Sequence, residues 1–135
     1  MPKSYIADSS ALVALLSRAD QHHGWMAAQA GNFPWPWLTC EAPLTEAFHL
    51  LGHHGAPRLK DLLRLGAVVL SFELAGNLEP VLELMDKYAS VPMSLADACL
   101  VRMSETLPHP LVVTTDADFK IYRRHSRQVV PCLMP

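Results

Sequence analysis

The sequence predicts an α/β fold in which a parallel sheet carries helices on both faces. Three observations lead there. Short apolar runs alternate with helical patterns along the whole chain; two of those runs, residues 5–7 and 111–115, stop directly before acids; and no repeat or low-complexity stretch interrupts the alternation. With 135 residues, 50% of them hydrophobic and 18% charged, the chain is expected to form one domain, residues 1–135, with a substantial core. A formal net charge of -2 carries no polycation signature, so composition is silent on nucleic acid and any such contact needs a local patch. The 3 cysteines, an odd number in apolar surroundings, suit reduced thiols better than a disulfide framework. No charged leader precedes a long apolar run and nothing approaches a membrane span, so the expectation is a soluble cytoplasmic protein without a membrane partner.

Taken in order, SYIADSSALVALL (residues 4–16) reads as a short strand ending on Asp8, then Ser9 and Ser10, then an apolar helix. Ligands in open parallel sheets gather beyond the carboxyl ends of the strands, where helices begin and their free N–H groups point outward, and Asp8 would sit at that rim. The plainer alternative is that Asp8 caps the helix, a task Ser9 or Ser10 could also perform. A second helix is expected over residues 21–30, closed by Gly31 and Asn32. The two prolines of FPWPWL (residues 33–38) confine the next extended segment to 35–39, and Trp35 and Trp37 are read as cover for the core rather than as a stacking platform for bases.

Pro43 suits the first turn of a helix running to His53, with Leu44, Ala47, Phe48 and Leu51 as its apolar stripe and Glu46 beside it. Gly55 marks a break before a helix at 56–65, whose Arg58, Lys60 and Arg64 form a basic side. Residues 67–71 read as a strand covered on both faces, and 78–88 as a helix with Leu78, Val81, Leu82 and Met85 turned inward. Ser94 suits an N-cap with Asp97 three residues on, ahead of a buried face made by Ala96, Cys99, Leu100 and Met103. The strand at 111–115 gives way to Asp116 and Asp118. A basic helical turn at 120–127 and a last strand at 128–131 follow.

Right-handed crossovers would bring Asp8, Glu46, Asp97, Asp116 and Asp118 to one edge of such a sheet. Crowded carboxylates repel and raise each other's pKa unless a cation lies between them. Oxygen ligands without a Cys/His set point to Mg2+ or Mn2+ rather than zinc. Such ions support in-line displacement at phosphorus, which makes phosphodiester hydrolysis the indicated chemistry. No G-x-S-x-G elbow or Gly-rich phosphate loop offers a different route. His49 and His53 have i, i+4 spacing but no H-E-x-x-H, so the histidines are read as surface or partner-contact groups. The run Lys120, Arg123, Arg124, His125 and Arg127 is either a solvated face or a grip on RNA phosphates flanking the acids.

D-S-S after the first strand (Asp8 to Ser10), T-E in a middle helix (Thr45, Glu46), S-L-A-D-A (Ser94 to Ala98) and T-T-D-A-D-F (Thr114 to Phe119) come in the order found in PIN domains. In that respect the chain resembles the VapC-type toxins of prokaryotic toxin–antitoxin pairs, from Tyr5 to about Pro131. The resemblance implies a three-layer α/β/α sandwich with a central parallel sheet of four or five strands. It also implies a Mg2+- or Mn2+-dependent endoribonuclease, the toxin of a VapBC-type pair, acting on an RNA substrate. Carried over by position, Asp8, Glu46, Asp97 and Asp116 are the catalytic, metal-binding set, with Asp118 either sharing the metal or starting the last helix. Ser9 and Thr114 would orient the carboxylates or waters, and Lys120, Arg123 and Arg124 are the phosphate candidates. A homodimer and a small antitoxin protein covering the groove are further implications. The proline-rich residues 33–38 depart from the aliphatic second strand usual in this family. Two alternatives stand beside this reading. One is another Mg2+-dependent phosphohydrolase, although Ser10 occupies the place where a haloacid-dehalogenase phosphatase wants its second acid; the other is a catalytically silent PIN-like RNA-binding or assembly module.

Overall fold

Alternate residues of the two central strands face two different cores. In the computed structural model, which describes residues 2–135, Ile6 and Val112 pack with one apolar cluster and Ala7 and Val113 with another. Side chains on a strand point to opposite faces in turn, so this division means a sheet covered on both sides. The strands are β1 (Ser4–Ala7), β2 (Trp37–Thr39), β3 (Val68–Leu70), β4 (Pro110–Val113) and β7 (Cys132–Leu133), in the order β3-β2-β1-β4-β7, with every pairing parallel. On one face lie α1 (Ser9–Leu16), α2 (His23–Gln29) and α3 (Glu41–Arg64), through residues such as Leu12, Met26, Leu44 and Leu59. On the other lie α4 (Leu78–Lys87) and α5 (Leu95–Thr106), through Val81, Leu100 and Met103. Each of these wholly buried aliphatic side chains contributes about 1.5–3 kcal/mol relative to exposure. The architecture is the expected three-layer sandwich.

Several elements differ from the sequence reading. The kink in α3 falls at Gly52, which has φ 60 and ψ -158, and not at Gly55. Only glycine takes that backbone cheaply. Gly55 is instead a packing glycine, since a Cβ there would stand 2.7 Å from the Leu51 side chain. Strand β3 is an edge strand whose Leu70 is exposed, so it is not covered on both faces. In α4, Val81 is buried and Met85 partly so, while Leu78 and Leu82 are exposed, because the helix covers the rim of its core rather than the centre. Strand β2 is three residues long and starts at Trp37; Trp37 is buried as core cover, whereas Trp35 remains 45% exposed.

The basic helical turn expected at 120–127 is a two-stranded antiparallel hairpin, β5 (Arg123–Arg124) with β6 (Gln128–Val129). His125 and Ser126 take positive φ at its tip, which no helix permits. The strand expected at 128–131 is represented only by β6, in the hairpin, and the strand that joins the main sheet, β7, lies just beyond it. Cys40, Cys99 and Cys132 are free thiols. Among the described residues, no helix is long and apolar enough to cross a membrane.

Candidate active site

The register of the two central strands builds the site. Ala7 pairs with Val113, so the next residue of each chain segment, Asp8 and Thr114, meet just beyond the sheet. The Asp8 N–H donates to the Val113 carbonyl at 3.0 Å, and the Thr114 hydroxyl donates to Asp8 Oδ2 at 2.7 Å. Asp8 is also the N-cap of α1: its Oδ1 accepts from the Ser9 N–H at 2.7 Å. Asp8 thus caps α1 and stands at the rim of the sheet at once, with separate donors to each carboxylate oxygen.

Short hydroxyl bridges extend from this centre to two more acids. The Ser9 hydroxyl, 3.4 Å from Asp8 Oδ1, donates to Glu46 Oε2 at 2.9 Å, which ties the first turns of α3 to β1. On the other side the Asp116 N–H donates to Thr114 Oγ1 at 3.0 Å, and Asp116 Oδ1 caps the following turn, residues 117–120, by accepting from the Asp118 N–H at 2.9 Å. Asp118 thus sits in a single 3-10 turn and does not begin a longer helix. Asp97 occupies the first turn of α5, where Ser94 Oγ accepts from its N–H at 3.0 Å and the Tyr122 hydroxyl donates to its Oδ2 at 2.8 Å.

Two of these acids resist ionisation. Burial raises the pKa of Asp8, against the hydrogen bonds from Thr114, Ser10 and Ser9, and the nearby charge of Asp116 raises it further. Asp97 is pushed up to about 6, first by burial and then by the charges of Asp8 and Asp116, with the Tyr122 and Ser94 bonds working in the opposite direction. Asp8, Asp97 and Asp116 therefore share one electrostatic neighbourhood, and Glu46 reaches it through Ser9.

An oxygen-only set of mutually repelling carboxylates, one of them buried, has the donor chemistry of a hard divalent cation site. Among the described residues no three His, Cys, Asp or Glu side chains already close around an ion position. Asp8, Glu46, Asp97, Asp116 and Asp118 thus do not form one ready cage. One or two of these carboxylates could hold a divalent cation that keeps several waters.

Two participants escaped the sequence reading. Ser10 donates to Asp8 Oδ2 at 2.8 Å and accepts from the Thr115 N–H at 2.9 Å, so it locks β1's end to β4's end. Its signal was its place directly after the rim acid. Tyr122 is wholly buried and bonded to Asp97, and nothing in its spacing announces that contact.

The basic candidates separate. Lys120 is exposed one short turn beyond Asp116. Arg123 spends its guanidinium on the chain itself, donating through Nη1 to the carbonyls of Lys120, Ile121 and Tyr122. Arg124 lines a cavity of about 610 Å3 with Lys3, His109 and Pro110, at the amino ends of β1 and β4. It therefore lies at the rim opposite the acids, because the hairpin turns the chain back along the sheet.

This structure superposes on the crystal structure of VapC20 from Mycobacterium tuberculosis, a sarcin–ricin-loop-cleaving toxin. The TM-score is 0.74, over 87% of this chain and 94% of that one, at 22% sequence identity. The chain has the fold of a PIN domain. No protein-family model and no curated protein matches the sequence. In this PIN fold the acids stand where β1, β4 and α5 converge, and the hydroxyls of Ser9, Ser10 and Thr114 fill the spaces between them.

Proposed function

We propose that the chain is a divalent-metal-dependent endoribonuclease that hydrolyses RNA phosphodiester bonds, the toxin of a VapBC-type pair. The observation that carries this reading is the hydroxyl-bridged network joining Asp8 to Glu46 and Asp116, with Asp97 held within reach of the charges of Asp8 and Asp116. The fold shared with VapC20, a toxin that cleaves RNA at the sarcin–ricin loop, supports the same substrate class.

Asp8, Asp97 and Asp116 would hold Mg2+ or Mn2+, with Glu46 and Asp118 at the margin of the site. When bound, the ion supplies positive charge against the scissile phosphate and acidifies a bound water. The chain's own contribution is positional. Thr114 and Ser10 fix Asp8 Oδ2, Ser9 turns Asp8 Oδ1 and Glu46 Oε2 toward each other, and Tyr122 engages only Oδ2 of Asp97. That leaves Asp97 Oδ1 to hold water or accept a proton. Lys120, exposed at the end of the turn that Asp116 caps, would meet a phosphate flanking the cut. A small antitoxin and a homodimer belong to the same proposal.

Purified protein incubated with a mixed RNA pool and Mn2+ should cleave RNA, lose that activity in EDTA, and show none as Asp8→Asn. Chelator-insensitive cleavage, or cleavage retained by Asp8→Asn, refutes the metal-dependent reading. Hydrolysis of small phosphomonoesters with RNA left intact assigns the site to a phosphatase instead.

A further inference from the structure

Asp97 is fixed at two points, and only one of them is local. Its backbone is held by the Ser94 cap within the same helix, but its carboxylate is held by Tyr122, 25 residues further along and beyond the Asp116 turn. Tyr122 is itself immobilised: it is fully buried, and its ring meets Phe119 edge-on at 5.2 Å and 84° and Tyr88 at 5.2 Å and 65°. Its N–H also bonds to the Asp118 carbonyl at 3.2 Å, so the segment bearing Tyr122 is continuous with the turn that Asp116 caps.

A flexible carboxylate on a helix start has several rotamers, and a phenol locked in a core selects one of them. We propose that Tyr122 is a positioning residue that holds the Asp97 carboxylate in one rotamer, occupies Oδ2 and leaves Oδ1 for the divalent ion or its water. This role rests on the ribonuclease reading above. Tyr122 also links the Asp116 turn to Asp97 by contact, although the two acids are not hydrogen-bonded to each other.

The test compares Tyr122→Phe with Tyr88→Phe. The first keeps the ring and removes only the hydroxyl on Asp97. The second removes a hydroxyl from the same aromatic stack, one that accepts from the Arg123 N–H at 2.8 Å and does not touch the acids. Free Mn2+ is counted by electron paramagnetic resonance during titration of each protein, RNA cleavage is measured at saturating and limiting RNA, and metal-free crystals of all three proteins are compared. Tyr122→Phe is expected to weaken Mn2+ binding about 10-fold and to lower kcat by a similar factor with KM for RNA little changed. Its Asp97 carboxylate should occupy more than one rotamer. Tyr88→Phe should match wild type in all three measurements. Wild-type Mn2+ affinity together with a single Asp97 rotamer in Tyr122→Phe overturns the proposal. If the wild-type protein binds no Mn2+, the metal-dependent reading fails, and the Asp97 rotamer in the metal-free crystals alone upholds or overturns the positioning role.

Discussion

Replacing Asp97 by Asn should make the metal-free protein more stable while it disables the site. The carboxyl of Asp97 moves from its ordinary 3.8 to about 6 in the folded chain, a difference worth about 3 kcal/mol at 1.36 kcal/mol per pKa unit. Asp97 is only half-buried, so solvent screening reduces this to about 1–2 kcal/mol. A charge at the start of α5 also gains about 0.3–1 kcal/mol from the helix dipole, which the amide forfeits, leaving a net gain of about 1 kcal/mol. The sign follows from a folded pKa above the unfolded one. The favourable contribution is fully present below pH 3.8 and is lost as pH rises through about 6. Wild type should therefore lose stability over that interval, and the variant, which keeps an oxygen to accept from Tyr122, should not. In EDTA, differential scanning calorimetry should give Asp97→Asn a Tm roughly 3–4 °C above wild type at pH 7.5, with the difference vanishing near pH 4. Mn2+ should stabilise wild type and leave the variant little changed. A Tm difference that is constant with pH, or a variant less stable at pH 7.5, refutes the claim that a buried, repelled carboxylate is the source.

Thr114→Val removes the donor to Asp8 Oδ2 and the acceptor for the Asp116 N–H from a fully buried position. Denaturant unfolding should show a loss of about 2–3 kcal/mol, and a loss below about 0.5 kcal/mol would mean that the network carries no strength. Gly52→Ala places a side chain at φ 60 and ψ -158, a region essentially reserved for glycine, with open space around it, so strain alone should cost about 1–3 kcal/mol; an unchanged midpoint would show that α3 can straighten there. Lys120→Ala should raise KM for RNA and reduce the salt slope of binding by about 1, while Arg124→Ala, at the opposite rim, should do neither. Equal effects of the two would place the RNA path along the sheet edge rather than across the acid rim.

Hydrophobic periodicity and turn chemistry are local signals, and they revealed the alternation of strands and helices, the Ser94 cap, and the buried face of α5 made by Ala96, Cys99, Leu100 and Met103. They also marked Asp8 and Asp116 as rim acids: Asp8 directly follows β1, and Asp116 stands three residues past the end of β4. What is decided by contacts between distant segments was not legible in that way. Gly52 and Gly55 look alike in sequence; the folded backbone puts the kink at Gly52 and packs Gly55 closely on Leu51. The basic run at 120–127 has a helical composition, but β6 captures β5 as a hairpin and carries Arg124 away from the acids. Likewise, Ser10 and Tyr122 acquire their roles from atoms 104 and 25 residues away along the chain. The sequence by itself determined which residues carry charge and where most strands and helices form, the 120–127 hairpin excepted, since those depend on each residue's own chemistry and its near neighbours. The tertiary structure alone decided which hydroxyl faces which carboxylate, because a hydrogen bond between distant segments exists only once sheet register and helix packing have fixed both partners to within a few tenths of an ångström.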